Sequence, residues 1–319
     1  MPLVLGIDEA GYGPLLGPLV VAATLWRANR DRMQTDWWQQ LDACVTRRAT
    51  RSEGRLAVGD SKKLFDRKRG ISTLERTVLA FAHAADLPCA TLTEFLTAIG
   101  HELPSEAGLP WYGDLTQSLP TDPARSAYEG AARRTRETMA SCGISCLGAR
   151  TQLITEDVFN RRVRQTRNKA AVLLEAVLRL VQWGTQHAGD QDVHIFVDRL
   201  GGRVNYREVL MQAFPGRHLH VVEVGEGRSR YRLASQESDW LLEFVVHGDQ
   251  RHLPVALASM LAKYVRELLM ERFNAYWNER APKLRPTAGY YSDAKRFLSD
   301  IAPLLEHETI RTEDFVRLR

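Results

Sequence analysis

The sequence predicts an α/β protein with a helical region over residues 255–319. Three observations carry that expectation. Short apolar runs of strand length recur along the 319 residues, each bounded by glycine, proline or polar punctuation. An amphipathic stretch of helical period feeds one of them, as in strand–helix–strand units. From Val255 onward the period is helical and stays so.

In chain order, Leu3, Val4, Leu5 and Ile7 read as a buried strand and Leu19–Trp26 as a second, with glycines and prolines filling the gap. Segment 101–143 begins rich in Pro, Ser, Asp and Thr, turns Arg-rich and helix-prone, and reads as an insertion. Cys146–Ile154 reads as the next strand. Over Arg167–His187, the apolar Ala171, Leu174, Val177, Leu180 and Val181 predict an amphipathic helix running into a strand at Val193–Val197. A further strand is expected at His218–Val224, and between Arg228 and His247 the runs YRLAS and WLLEFVV predict a short hairpin. Leu257, Leu261, Tyr264 and Leu268 share one face of the last long helix, which is expected to pack on the sheet. With 44% apolar residues the chain can bury a large core, as one elaborated domain or two moderate ones.

A net charge of +4 and a pI near 8.9 are mild, but the basic residues cluster. Groups fall at Arg47, Arg48 and Arg51, at Lys62 and Lys63, at Arg67, Lys68 and Arg69, at Arg133, Arg134 and Arg136, between Arg161 and Lys169, and at Arg228, Arg230 and Arg232. Each alone reads as a solvated face; beside a metal site they would suggest a polyphosphate partner. Cys44, Cys89, Cys142 and Cys146 are too few for a disulfide scaffold and complete no zinc set, so they read as reduced thiols. No basic leader precedes the first strand and no 18 apolar residues run together. Neither export nor a membrane span is expected, and the cytoplasm is the expected compartment.

Acids stand at three strand ends: Asp8 and Glu9 after the first run, Asp198 in VDRLGG, and Asp249 in HGDQRH just before the long helix. Burying a carboxylate is costly unless a lysine, a set of backbone amides or a metal ion meets it. Because neighbouring strand residues alternate faces, Asp8 and Glu9 are expected to share a site only if the chain bends at Glu9, a bend that Gly11 and Gly13 make feasible.

The stretch GIDEAGYGPLLGPLVVAA resembles the first motif of the type 2 ribonucleases H (ribonuclease HII), Asp-Glu-Ala-Gly-Arg-Gly-Pro-x-x-Gly-Pro-x-Val. Further segments agree in order: GDSKKL with the family's Asp-Ser-Lys-Lys-Leu, VDRLGG with its Val-Asp-Gly, and HGDQRHLPVALASMLAKYVREL with its Gly-Asp…Ala-Ser-Ile-x-Ala-Lys-Val-x-Arg-Asp helix. TAGYYSDAK is similar to the Gly-Tyr-Pro-Ser-Asp stretch of archaeal and eukaryotic members. Segments 101–143 and 228–247 have no evident counterpart and read as additions.

The resemblance implies a single monomeric domain over 1–319, a ribonuclease H-like mixed sheet flanked by helices. It implies an endonuclease that hydrolyses the RNA strand of RNA/DNA hybrids or incises at ribonucleotides embedded in duplex DNA, leaving a 5′-phosphate and a 3′-hydroxyl. The family's catalytic and metal-binding Asp-Glu-Asp-Asp set falls on Asp8, Glu9, Asp198 and Asp249. Four carboxylates in one cleft repel by about 4 kcal/mol per close pair at an effective dielectric near 20, so they bind cations or hold protons. Mg²⁺ or Mn²⁺ suits oxygen ligands shared with a phosphate, and a pair of such ions supports in-line attack of water.

Substrate contacts implied in the same way are the loop Gly11, Tyr12 and Gly13 at a ribose 2′-hydroxyl, Lys62 at a phosphate, Ser259 and Lys263 on the long helix, and Tyr290 stacking on a deoxyribose beyond the ribonucleotide. For Lys263 a salt bridge is the other reading. Tyr12 departs from the family's usual Arg or Lys, which bears on affinity and preference rather than on the acids, and His247 and His252 receive no role. Two alternatives stand beside this reading: a nuclease of the same fold with altered substrate preference, and a non-catalytic nucleic-acid-binding relative.

Overall fold

The fold is that of a computed structural model, which describes residues 1–33, 35–49, 54–65, 70–101, 109–306 and 310–318, the side chain of Arg125 excepted. Arg51, Arg67, Lys68 and Arg69, and residues 102–108 of the expected insertion, lie outside these. The strands are β1 (Leu3–Ala10), β2 (Leu19–Ala28), the two-residue β3 (Val45–Thr46) and β4 (Leu56–Ala57), β5 (Ile144–Ile154), β6 (Val193–Asp198), β7 (His218–Val224), β8 (Arg228–Ala234) and β9 (Asp239–Val245). β3 and β4 pair with each other, and the rest form one seven-stranded sheet in the order β5-β2-β1-β6-β9-β8-β7. Within the seven-stranded sheet the pairs β1–β6 and β6–β9 are parallel and its other pairs antiparallel, so the sheet is mixed, as expected.

Helices cover both faces of this sheet. Before β5 come α1 (Trp37–Gln40), α2 (Ser61–Leu64), α3 (Ser72–Ala84), α4 (Leu92–Ala98), α5 (Pro123–Ser126) and α6 (Glu129–Ser141). Next come α7 (Glu156–Thr166), α8 (Lys169–Gln186) and α9 (Arg207–Ala213), then α10 (Gly248–Arg251), α11 (Leu253–Arg280), α12 (Tyr291–Leu305) and α13 (Thr312–Phe315). Alternation along β1 sends Leu3, Leu5 and Ile7 into a core shared with α8, and Val4 into a second core shared with α11. Burial on both faces is why β1 and β2 read as nearly unbroken apolar runs.

Helix α11 starts hard against β1. A side chain at Gly6 would put its Cβ 2.2 Å from the Pro254 carbonyl carbon, so only glycine lets strand and helix backbones approach this closely. The Thr24 hydroxyl donates to the Pro254 carbonyl at 2.8 Å and fixes the same helix end to β2. The predicted face of Leu257, Leu261, Tyr264 and Leu268 is buried.

The expected hairpin forms as β8 and β9, but it is no marginal addition: β9 is an inner strand, hydrogen-bonded to β6 and β8. The described part of 101–143 also enters the core, with the Trp111 ring packed edge-on against Phe273 and Phe315. Among the described residues the four cysteines are free, and no helix is long and apolar enough to cross a membrane.

Candidate active site

The acids line one rim of the sheet. Parallel pairing of Ile7 with Val197 makes Asp8 and Asp198 the next residues on neighbouring strands, which run about 4.8 Å apart. β9 ends at Val245, opposite Asp198, and its continuation delivers Asp249 in α10. The Gly248 N–H donates to Asp198 Oδ1 at 2.7 Å, which ties that turn to the end of β6.

The expected bend at Glu9 is absent. β1 continues through Ala10, pairing Asp8 with Ala22 and Glu9 with Val21, and the chain turns only at Gly11, with φ +90°. Two-residue alternation is kept, so Asp8 shares the α11 side with Val4 while Glu9 follows Ile7 toward the other. Both carboxyls still reach the cleft because it opens over the rim of the sheet rather than over one face.

Every residue expected in the site lines this cleft of about 510 Å³, a size within the usual range of ligand sites. Asp8 is buried, and burial, then Glu9 and Asp198, push its carboxyl well above the usual range, against the Ser259 hydroxyl and the Glu9 N–H that favour the charged form. Burial and then Asp198 lift Glu9 to about 7. Asp198 is raised by burial, with Gly248 opposing and Asp249 adding, and Asp249 is raised by burial and then by Asp60. Lys62 is the ammonium that favours charge on Glu9, Asp198 and Asp249.

These acids fit a hard divalent cation in their chemistry: all donors are carboxylate oxygens, their mutual repulsion calls for positive charge, and Glu9 Oε2 is buried without a hydrogen-bond partner. Among the described residues, however, no three Asp, Glu, His or Cys side chains are gathered closely enough to grip one ion. One oxygen of Asp8 accepts the Glu9 N–H at 2.7 Å, as one of Asp198 accepts that of Gly248, so each keeps only its other oxygen unengaged by these amides.

The loop after β1 forms the facing wall. Gly11 has a left-handed backbone, and a Cβ there would lie 2.5 Å from the Pro18 carbonyl. The half-buried Tyr12 ring has the Lys169 ammonium 5.1 Å from its centre, so a cation stands at this loop although position 12 carries none. Gly13 is exposed. Behind the loop, Arg266 donates to the Leu16 carbonyl at 3.1 Å and the Ala288 carbonyl at 3.2 Å, and Arg317 donates to the carbonyls of Gly11 and Tyr12.

Lys62 projects from α2, whose Asp60 cap accepts the N–H groups of Lys62 and Lys63. Ser259 is buried, with its hydroxyl 3.0 Å from that of Ser61, joining α11 to α2. Lys263 Nζ forms an ion pair with Glu267 at 2.6 Å, the salt bridge weighed for it. Tyr290 is 49% exposed at the mouth and is therefore not a core residue. His252 stacks on Phe196 away from the cleft, but His247 lines it and favours the ionised forms of Asp198 and Asp249.

His247, Asp60, Arg266, Lys169 and Arg317 were not read from the sequence as site residues. Asp60 carries a signal, an acid one residue before Ser-Lys-Lys at a helix start. The others become neighbours only through the fold.

No protein-family model matches the chain, nor does any curated protein. Among solved structures it is similar to the ribonuclease H2 from Pyrococcus horikoshii OT3, at 14% identity over 99% of this chain and 92% of that one, with a TM-score of 0.48. It is also similar to the RNase HII in a PCNA complex from Archaeoglobus fulgidus, at 16% identity, 99% and 94% coverage and a TM-score of 0.42. A third is Bst-RNase HIII in complex with Mn²⁺, at 16% identity, 99% and 66% coverage and a TM-score of 0.43. Likeness at that level says nothing about activity.

Proposed function

We propose that this protein is a metal-dependent endonuclease of the ribonuclease HII kind, cutting the RNA strand of RNA/DNA hybrids or incising at ribonucleotides embedded in duplex DNA. The observation that carries the reading is the convergence of Asp8, Glu9, Asp198 and Asp249 with the glycine loop and Lys62 on one cleft, from positions spread over most of the chain. A second groove of about 760 Å³, sharing Asp60, Asp249 and Gln250 with the cleft, is lined by Arg47, Arg48 and Lys63 and suits a phosphate backbone.

In this reading Asp8, Glu9, Asp198 and Asp249 hold Mg²⁺ or Mn²⁺. When bound, such ions neutralise the phosphate and supply Lewis acidity for in-line hydrolysis to a 5′-phosphate and a 3′-hydroxyl. Ser259 orients Asp8 through its hydroxyl, and the Gly248 amide orients Asp198. Lys62, beside the acids, meets the scissile phosphate, the Gly11–Gly13 loop meets the ribose, and the exposed Tyr290 ring offers a face to the next sugar.

A second reading is a nucleic-acid-binding relative without turnover, favoured by the acids not being gathered around a common point among the described residues. Matched duplexes containing zero, one or four ribonucleotides, incubated with the protein in Mg²⁺ and in Mn²⁺, test both. Metal-dependent cleavage beside ribonucleotides and none of the all-DNA duplex is the expected result. Binding without cleavage in either metal selects the second reading, and equal cleavage of the all-DNA duplex removes 2′-hydroxyl recognition.

A further inference from the structure

Arg317 presents an unusual buried charge. Its side chain is 3% exposed, yet its hydrogen-bond partners are carbonyl groups rather than carboxylates: those of Gly11, Tyr12 (3.1 Å) and Gly17 (3.4 Å). Its guanidinium lies 4.1 Å from the centre of the Phe159 ring, and burial holds its pKa down to about 10. Taking a guanidinium out of water costs stability that an apolar side chain of the same reach would not. Its segment does not depend on it for anchorage. The Arg317 N–H donates to the Leu15 carbonyl at 2.8 Å, the Leu318 N–H to Asn160 Oδ1 at 2.8 Å, and Asn160 Nδ2 to the carbonyls of Glu313 and Val316. The neighbouring Phe315 packs on Trp111 and Trp277.

A trans peptide is planar, with its C=O and the following N–H pointing in opposite directions. Drawing the carbonyls of Gly11 and Tyr12 back toward Arg317 therefore turns the N–H groups of Tyr12 and Gly13 the other way. We propose that Arg317 is a positioning residue: it fixes two consecutive peptide planes of the cleft loop so that their N–H groups stand ready to donate to a ribose 2′-oxygen. The choice of ribose over deoxyribose then depends on a side chain about three hundred residues away in sequence that touches no substrate. This rests on the nuclease reading above and adds the element that holds its sugar-sensing loop.

The test uses the full chain carrying Arg317→Met, with Arg317→Lys as the variant that keeps the charge. Three measurements are made: kcat and KM on a duplex with one embedded ribonucleotide and on its all-DNA counterpart, thermal melting, and hydrogen–deuterium exchange over residues 11–17. For Arg317→Met, kcat on the ribonucleotide substrate is expected to fall by about 100-fold, the scale of a small misplacement in a site, with KM little changed. The preference for ribose narrows, exchange at Tyr12 and Gly13 rises, and Arg317→Lys recovers part of each. An unchanged preference with unchanged exchange in Arg317→Met overturns the proposal, as does a uniform loss of activity that tracks melting temperature alone. If Arg317→Met does not fold, the same comparisons on Arg317→Lys decide. If the unaltered protein cuts neither duplex, the nuclease reading fails, and exchange at residues 11–17 in the variants still decides whether Arg317 sets the loop.

Discussion

On one side of the cleft, Asp8, Glu9 and Asp198 are withdrawn from water beside one another. On the other, Arg266 and Arg317 are buried as deeply but meet the carbonyls of the Gly11–Gly17 loop. The first wall is left in electrostatic conflict, so that burial and like charge keep its carboxyls protonated to unusually high pH. The second is held in one shape by cations that have found acceptors. The contrast teaches where the chain gives up stability and where it recovers rigidity: the acids wait for positive charge, and the loop needs none in order to keep its form.

Replacing an acid on the first wall is the harshest way to break this contrast. Asp8→Asn keeps the volume and puts a neutral amide in place of a carboxyl whose ionisation burial and like charge oppose, so the melting temperature is expected not to fall while Mg²⁺-dependent cleavage falls to background; Asp198→Asn is expected to lose cleavage equally. Wild-type turnover in either variant takes that residue out of the proposed ligand set.

Behind the second wall lies Glu156, an acid whose oxygen accepts the Tyr112 hydroxyl at 3.0 Å and whose carboxyl burial lifts to about 7. Since the folded value lies above the ordinary 4.5, the stability supplied by its proton is complete below about 4.5 and is lost as pH rises through 7. Urea midpoints of the parent at pH 5 and pH 8 should reflect that loss, at most about 3 kcal/mol from this group. Glu156→Gln should reduce the difference by its own share, leaving that of the other raised acids such as Glu9, and an undiminished difference would show that Glu156 contributes none of it.

Gly11→Ala sets a Cβ into a left-handed backbone 2.5 Å from the Pro18 carbonyl. A loss of about 1 to 3 kcal/mol in urea unfolding is expected, with weaker preference for ribose; a variant as stable as the parent would mean the turn is softer than its contacts imply. The mildest change is Tyr12→Arg. It should tighten duplex binding at low salt and steepen the salt dependence of log K by about 0.9 if one phosphate is met, whereas an unaltered slope points the new side chain away from the backbone.

Much of this could be read along the chain because it is written in periods and short motifs. The alternation in β1, the 3.6-residue face on α11 and the punctuation around β8 and β9 are local signals, and the acids stand inside ordered motif segments that bring their neighbours with them. Glu9 misled because alternation forbids two adjacent residues from one face, and only coordinates reveal a cleft opening over a sheet rim that serves both. That β9 would be an inner strand was equally hidden, since a hairpin's sequence does not say which edge pairs next. Arg317 gives no sequence signal at all: an arginine near Phe315 looks solvated until the fold brings it under Gly11.

The β8–β9 pair runs from Arg228 opposite Val245, beside the acids, to Ala234 opposite Asp239. The six steps of about 3.3 Å between its seven rungs put its tip some 20 Å from the rim that carries the acids. Gln236 and Glu237, the exposed residues of the tip, are thus a natural splice point for a fluorescent probe or affinity handle, because lengthening it there leaves the buried Ser238, held by Arg217, and the root of β9 in register. A reporter seated at that distance would register tumbling of the whole chain and leave the cleft clear.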